Sequence, residues 1–285
     1  MVRIASVALL SAAALPGAMA WGAMGHETVA YIATNFVASS TKTYFQNLLG
    51  DTSTDYLASV ASWADSYRYT TAGKFSAGYH YIDAQDNPPS SCGVDLDRDC
   101  ADGCIVSAIA NYTSRVLNSK LSTSDRQIAA KMIIHFIGDV GQPLHCEDLE
   151  TGGNGIDVLY DGDDTNLHAI WDTQIPESVS GGSSQSSAKT WATTLTTAIK
   201  SGDYKSSAAG WVSGLNINDA ETTATGWASE SNAYVCSTVL KSGISAVENK
   251  ELSGTYTTTA QPVVKEQIAK QGYRLAKWLD AIAAA

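Results

Sequence analysis

The sequence predicts a mainly α-helical protein, and two observations predict it. Apolar residues recur at helical spacing along most of the chain, and alternating strand patterns are scarce. Taken in order, Glu27 to Val37 sets Val29, Ile32 and Val37 on one face, and Tyr56 to Trp63 reads likewise. Ser107 to Leu117 places Ile109, Tyr112 and Val116 one or two turns apart. Ser124 to Val140 carries Ile128, Met132, Ile133, Phe136, Ile137 and Val140, with Ser122, Ser124 or Asp125 able to cap its start. Further helices are expected at Ser187 to Lys200, Glu221 to Leu240 and Gln261 to Ile282. Val158 to Tyr160, before the Asp161-Gly162 turn, is the one short hairpin candidate.

Residues 1–20 read as a targeting segment. Arg3 gives a positive start, Ile4 to Leu15 is an apolar run too short to span a bilayer, and Ala18-Met19-Ala20 is a small-x-small cleavage signature. The expectation is a cleaved secretory signal, a mature chain starting at Trp21 and a secreted, extracellular protein. No later stretch is long and apolar enough for a membrane helix, and no lipid-anchor signal is present. Residues 21–285 can form one catalytic domain, since no Pro-rich or charged linker divides them. The Gly-Gly-Ser-Ser-Gln-Ser-Ser run at 181–187 reads as a short loop.

The net charge is -11 at pH 7, and losing Arg3 makes it about -12. That balance disfavours a nucleic-acid binder working through a broad basic patch. Any phosphate substrate must be drawn in locally, as a metal cluster would do. Five cysteines are present. Export permits disulfides. Cys100 and Cys104 are close enough for a small loop-closing bridge, and Cys92 can pair with distant Cys236. Sequence alone leaves the connectivity open, with one cysteine left over. Asn111-Tyr112-Thr113 is the one clear glycosylation sequon.

The chemistry gathers around five histidines: His26, His80, His135, His145 and His168. His135 and Asp139 stand i, i+4 on the best-defined helix, so their side chains leave one face. His168 and Asp172 repeat that spacing. His145 follows Gln142-Pro143-Leu144, where the proline ends the helix and turns the chain back. Asp65 ends the helix through Ala61-Ser62-Trp63-Ala64, and His80 follows at a distance that a loop can close. A single histidine is more often a satisfied core or surface residue than a ligand. Two i, i+4 His/Asp pairs with a third histidine nearby instead indicate a multi-metal site, since imidazole and carboxylate are natural zinc ligands.

Together these motifs make a family discernible. The start Trp21-Gly22-Ala23-Met24-Gly25-His26 resembles the fungal zinc-dependent single-strand nucleases of the S1 and P1 type and, more distantly, bacterial zinc phospholipases C. Further matches are Ser62-Trp63-Ala64-Asp65, His80-Tyr81-Ile82-Asp83, Asp86-Asn87-Pro88-Pro89, His135-Phe136-Ile137-Gly138-Asp139, Gln142-Pro143-Leu144-His145, Gly152-Gly153-Asn154, Asn166-Leu167-His168 and Gly272-Tyr273-Arg274-Leu275-Ala276. The likeness runs from Trp21 almost to the C-terminus.

The resemblance implies a single helical domain of that fold and three Zn2+ at the bottom of a cleft. One zinc would take Asp65, His80, His135 and Asp139. A second would take the amine and carbonyl of Trp21, with His26 and the bridging Asp139. The exposed third would take His145, His168 and Asp172. Asp65 and Arg68 would serve catalysis, Arg68 binding the charge that develops on phosphate oxygens. Tyr81 and Asp83 would hold an unstacked base, with Gly152 and Asn154 lining that pocket. The implied substrates are single-stranded DNA and RNA and 3′-nucleotides. Cys146 departs from the pattern, standing where well-known relatives carry an acidic residue. It is thereby marked as the unpaired thiol, close to the exposed zinc. Gly141 occupies a position that is often bulkier.

The rival enzyme reading is a zinc phospholipase C. Those enzymes tend to use glutamate where Asp172 stands, and they lack the Tyr81/Asp83 pocket. A zinc-binding protein without catalysis is the rival of another class, and Arg68 beside a full ligand set argues against it.

Overall fold

The computed structural model describes residues 21–285, so the expected leader at 1–20 lies outside the described residues. The described chain forms α1 (Ala23–Thr34), α2 (Ser39–Leu49), α3 (Trp63–Tyr67), α4 (Leu96–Asp99), α5 (Ile105–Leu117) and α6 (Thr123–Asp139). A hairpin follows, β1 (Asp157–Tyr160) and β2 (Asp163–Asn166), then α7 (Leu167–Ala169) and α8 (Ile175–Ser180). The rest is α9 (Gln185–Ser201), α10 (Ala208–Trp211), α11 (Ala220–Tyr234) and α12 (Thr255–Ala284). The mainly α expectation holds, with one antiparallel hairpin as the only sheet among the described residues. Asp161 (φ 54°) and Gly162 (φ 86°) both turn left-handed, which is what a two-residue hairpin loop requires.

Helix α6 lies at the centre. From Ala129 to Asp139 every residue except Lys131 is buried, so the helix is covered on nearly all sides. The Ser122 hydroxyl caps it by accepting from the Asp125 N–H at 3.1 Å. Helix α5 packs along α6, while α1 packs between α9 and α12. Helix α12 is about 45 Å long at 1.5 Å per residue. It crosses α1 so closely that a Cβ on Gly272 would lie 2.5 Å from the Ile32 Cβ. Only glycine permits that approach.

Several boundaries differ from the sequence reading. Helix α2 was not expected; it buries only Thr41, Phe45 and Leu48, too thin an apolar stripe to stand out. The helix expected at Tyr56 to Trp63 is a run of turns with a 3-10 turn at Ala58–Val60. There the Ser59 hydroxyl bonds the Tyr56 carbonyl and the Asp51 carboxylate, competing with helical pairing. Asp65 therefore sits in the first turn of α3 and does not end a helix. The loop read at 181–187 is shorter, because Ser184 caps α9 at Gln185. Helix α11 gives way to a wider π turn at Val235–Val239. Helix α12 starts two turns upstream of Gln261 and runs through Pro262. Tertiary bonds hold that early stretch: the Tyr256 hydroxyl accepts from Trp171 Nε1 at 2.8 Å and donates to the Val239 carbonyl at 3.0 Å.

Two disulfides are present, Cys92–Cys236 and Cys100–Cys104. The first joins residues 144 apart in sequence and ties the loop before α4 to the π turn after α11. Replacing both Cys92 and Cys236 by serine is expected to lower unfolding free energy by about 3–5 kcal/mol, through the longer unfolded loop it releases. Urea midpoints of the variant and parent measure the loss.

Candidate metal centre

The residues singled out by their spacing arrive from six separate elements. His26 comes from α1, Asp65 from α3, His80 from the 3-10 turn Lys74–His80, and His135 and Asp139 from the last turn of α6. His145 comes from the 3-10 turn Pro143–Cys146, and His168 from α7, with Asp172 in the π turn that continues it. All eight side chains are buried.

Backbone carbonyls orient three of the rings. His135 Nδ1 donates to the Ala61 carbonyl (2.7 Å), His145 Nδ1 to the His80 carbonyl (2.8 Å) and His168 Nδ1 to the Gly152 carbonyl (2.7 Å). A carbonyl can only accept, so each Nδ1 carries a proton, and in the neutral ring Nε2 is left with the lone pair that can ligate. Gly138 leaves room for His26, whose Nδ1 would lie 2.8 Å from a Cβ there. The chain start is held in place too. Trp21 is buried, its indole N–H donating to the Gly138 carbonyl (3.0 Å), and the Gly22 N–H donates to the Asp172 carbonyl (2.8 Å).

The freed atoms converge. Two ligands of a tetrahedral ion with bonds of 2.0–2.1 Å lie about 3.3 Å apart. His80 Nδ1 is 3.1 Å from Asp139 Oδ2, 3.8 Å from Asp65 Oδ1 and 3.0 Å from His135 Nε2. His135 Nε2 is 3.5 Å from Asp65 Oδ1 and 3.1 Å from Asp139 Oδ2. Those separations bring His80, His135 and Asp139 within reach of one ion, with Asp65 at the edge of that group, 3.5 Å from His135. His145 Nε2, His168 Nε2 and the Asp172 carboxylate lie 3.1–3.7 Å apart and form a single face, which leaves a further position open. His26 Nε2 reaches the second oxygen of Asp139 at 2.9 Å.

Hydrogen bonding does not account for this arrangement. Both oxygens of Asp65, Asp139 Oδ1, both nitrogens of His26 and His80 Nε2 are buried without a hydrogen-bond partner in proper geometry. An uncompensated buried carboxylate costs several kcal/mol. Several of these His/Asp groups can hold a metal ion, and the orphaned atoms fit one. Burial opposes ionisation of Asp65, yet buried His135 and His26 hold it down at about 2. Burial lowers His80 to about 4, keeping the ring neutral and able to ligate.

A cleft of about 480 Å³ opens above these residues. His80, His145 and His168 form part of its floor, and Arg68, Tyr81, Asp83, Gly152 and Asn154 line the same cleft. Arg68 ends α3, and its Nη2 donates to the Tyr69 hydroxyl at 3.2 Å. Tyr81 is one of three exposed large apolar side chains among the described residues. Burial, with Asp148 and Asp99 nearby, lifts Asp83 to about 6.

Sequence reasoning passed over Lys74 and Asp148, which line this cleft, and gave no role to Gln142, whose Nε2 donates to Asp172 Oδ1 at 2.6 Å. Lys74 and Asp148 carry no ligand spacing, and only the fold brings them in. Cys146 belongs to none of the His/Asp groups that can hold metal. Its buried thiol donates to the Val140 carbonyl at 3.7 Å, and burial pushes its pKa well up, so it stays a neutral core group. Gly141 accommodates Gln271, whose Cγ would lie 2.3 Å from a Cβ there.

Fold and site together define a helical protein whose buried His/Asp groups can hold metal ions below an aromatic-walled cleft. The chain belongs to the S1/P1 nuclease family: the family model S1/P1 Nuclease matches residues 21–284. It is 55% identical to Nuclease S1 of Aspergillus oryzae over 264 residues, which span 92% of each chain. It is 50% identical to Nuclease P1 of Penicillium citrinum over 263 residues, covering 92% of this chain and 97% of that one. Endonuclease 4 of Arabidopsis thaliana is 30% identical over 279 residues, covering 93% and 90%. The protein is therefore a nuclease, with nucleic acid as substrate.

Gln142→Leu should loosen Asp172 and lower metal affinity at the His145/His168/Asp172 group about 10–100-fold, as loss of an outer hydrogen bond to a ligand typically does. Chelator titration should show one class of metal weakened and the remainder unchanged.

Proposed function

We propose that the chain is a secreted, zinc-dependent endonuclease that cleaves single-stranded DNA and RNA to 5′-phosphate products and also removes phosphate from 3′-nucleotides. One observation carries the single-strand reading. The exposed Tyr81 ring and the Asp83 carboxylate line one cleft with His80, His145 and His168. A base laid on that ring must leave a duplex stack first.

The donor atoms are imidazole and carboxylate, a set that suits zinc. Asp65, His80, His135 and Asp139 would hold one ion. Trp21, through its amine and carbonyl, would hold a second with His26 and Asp139. His145, His168 and Asp172 would hold the third. Against three aspartates such a centre stays positive by about three charges, which draws in a phosphodiester despite the acidic chain. Bound zinc supplies Lewis acidity and acidifies water at the site.

The chain's own groups do the rest. Asp65, ionised and with neither oxygen taken by a protein donor, orients the attacking water. The Arg68 guanidinium fits the equatorial phosphate oxygens through its planar fork. Tyr81 stacks the base, Asp83 accepts hydrogen bonds from its edge, and Gly152 and Asn154 close the pocket beside it. The water oxygen bonds to phosphorus in line as the bond to O3′ breaks. O3′ leaves with a proton, and the phosphate stays on the 5′ carbon.

Asp83→Ala should lower kcat/KM on single-stranded DNA by about 10–100-fold, a loss of roughly 1.4–2.7 kcal/mol of transition-state binding, while metal content stays unchanged. Loss of metal with the activity would move Asp83 into the metal centre. Because Asp83 is raised in the fold, its ionised form costs stability. That cost is absent near pH 4 and grows as pH rises through about 6. Asp83→Asn should therefore raise Tm at pH 7 and leave it unchanged at pH 4.

A second outcome concerns the chain start. The Trp21 amine exists only after cleavage behind Ala20, and an amide nitrogen in its place ligates poorly. An enzyme with one extra alanine before Trp21 should bind two zincs where the enzyme starting at Trp21 binds three, and should hydrolyse far more slowly. Elemental analysis and rates on mass-verified samples decide this. Equal zinc and equal rates would refute the amine ligand.

A further inference from the structure

A second cleft, about 420 Å³, lies outside the metal centre. The segment 67–81 separates the two: Arg68, Lys74, His80 and Tyr81 line the first, whereas Tyr67, Phe75 and Tyr79 line the second. Tyr112 and Arg115 of α5 line its other side, and Asn111 stands among them. The walls are aromatic. Phe75 and Tyr79 meet edge to face at 6.1 Å, and Tyr67 stacks on Trp63 at 4.3 Å. Phe75 is 57% exposed, resting by one edge contact on Tyr79. Arg115 pairs with Asp125 at 3.7 Å, so this rim has little net charge to attract a phosphate.

Asn111 begins the one glycosylation sequon in the chain, Asn111-Tyr112-Thr113. We infer that this cleft is the seat of the first sugars of a glycan linked to Asn111, with pyranose C–H faces against Phe75 and Tyr79. The inference rests on the expectation that the chain is exported and glycosylated. The occupant would be tethered to the rim of its own site, so its effective concentration there is high. In the linkage step the Asn111 Nδ2 loses one proton and bonds the anomeric carbon of N-acetylglucosamine, as a lipid pyrophosphate leaves. Thr113 is buried in the finished fold, its hydroxyl donating to the Ile109 carbonyl and accepting from Trp278 Nε1. The sequon must therefore be modified before α5 packs, and the protein folds around the sugar-bearing helix.

The test is a double-mutant cycle on the full chain secreted from a eukaryotic host, with Phe75→Ala and Asn111→Gln alone and together. Mass spectrometry of the Asn111 peptide comes first, and an unmodified Asn111 overturns both the glycosylation reading and this inference. With the glycan present, Phe75→Ala should lower Tm by roughly 2–4 °C. In the Asn111→Gln background it should change nothing, because an exposed ring then covers no partner. Equal shifts in both backgrounds, or none in either, overturn the cleft assignment while leaving glycosylation intact. Trimming the folded glycoprotein to one N-acetylglucosamine should preserve Tm, which keeps the test valid if Asn111→Gln fails to fold; a drop to the unglycosylated value would count against the inference. If Phe75→Ala in the unglycosylated enzyme instead raises KM for long single strands and spares 3′-nucleotides, the cleft takes nucleic acid and the inference fails.

Discussion

The structure turns on the Asp139 carboxylate. It is fully buried, at the last position of α6, where the helix dipole is negative and disfavours an anion. His26, His80 and His135 surround it, at 2.9–3.1 Å, yet Asp139 Oδ1 has no hydrogen bond. Such a group is stable only beside positive charge. His135 is drawn toward its protonated form by Asp139 and Asp65 against the cost of burial, and that is the protein's own partial remedy. A divalent ion is the fuller one. Helix α6 thus ends, at the close of its buried stretch, in a carboxylate with one unpartnered oxygen, and the surrounding elements are disposed around that end.

The histidines depend on neighbours that are remote in sequence. Their Nδ1 protons rest on carbonyls of Ala61, His80 and Gly152, each from a different segment. The ligand set is therefore in order only when those segments are in place. Metal binding to such a set is also folding free energy, because the unfolded chain holds no preformed site. The Cys92–Cys236 bridge and the α1–α12 crossing at Gly272 act on the same framework from outside.

The segment 67–81 gives the molecule two faces. Its short helix and 3-10 turn send Arg68, Lys74, His80 and Tyr81 toward the metal cleft, and Tyr67, Phe75 and Tyr79 toward the aromatic cleft beside Asn111. Positive charge collects on the first face. The second is apolar, with its one arginine paired to Asp125. The two clefts therefore suit different ligands, although one stretch of backbone builds both.

The sequence by itself determined the helical class, the strong helices α5 and α6, the hairpin turn and the two i, i+4 His/Asp pairs. Each is local: periodicity, capping and spacing act within a few residues, and α6 keeps its Ser122 cap and its His135/Asp139 face as the pattern requires. The motif at Trp21 to His26 and its companions pointed to the family. Only the tertiary structure decided that His26 and His80 meet His135 at Asp139, that Lys74 and Asp148 enter the cleft, that Gln142 holds Asp172, and that Cys146 turns into the core. It also decided where helices start and stop: Tyr56 to Trp63 lost its helix to Ser59 and Asp51, and α12 begins upstream of Gln261, where Tyr256 is held by Trp171 and Val239. Those outcomes depend on contacts between residues far apart in the chain, whose energies no local pattern records.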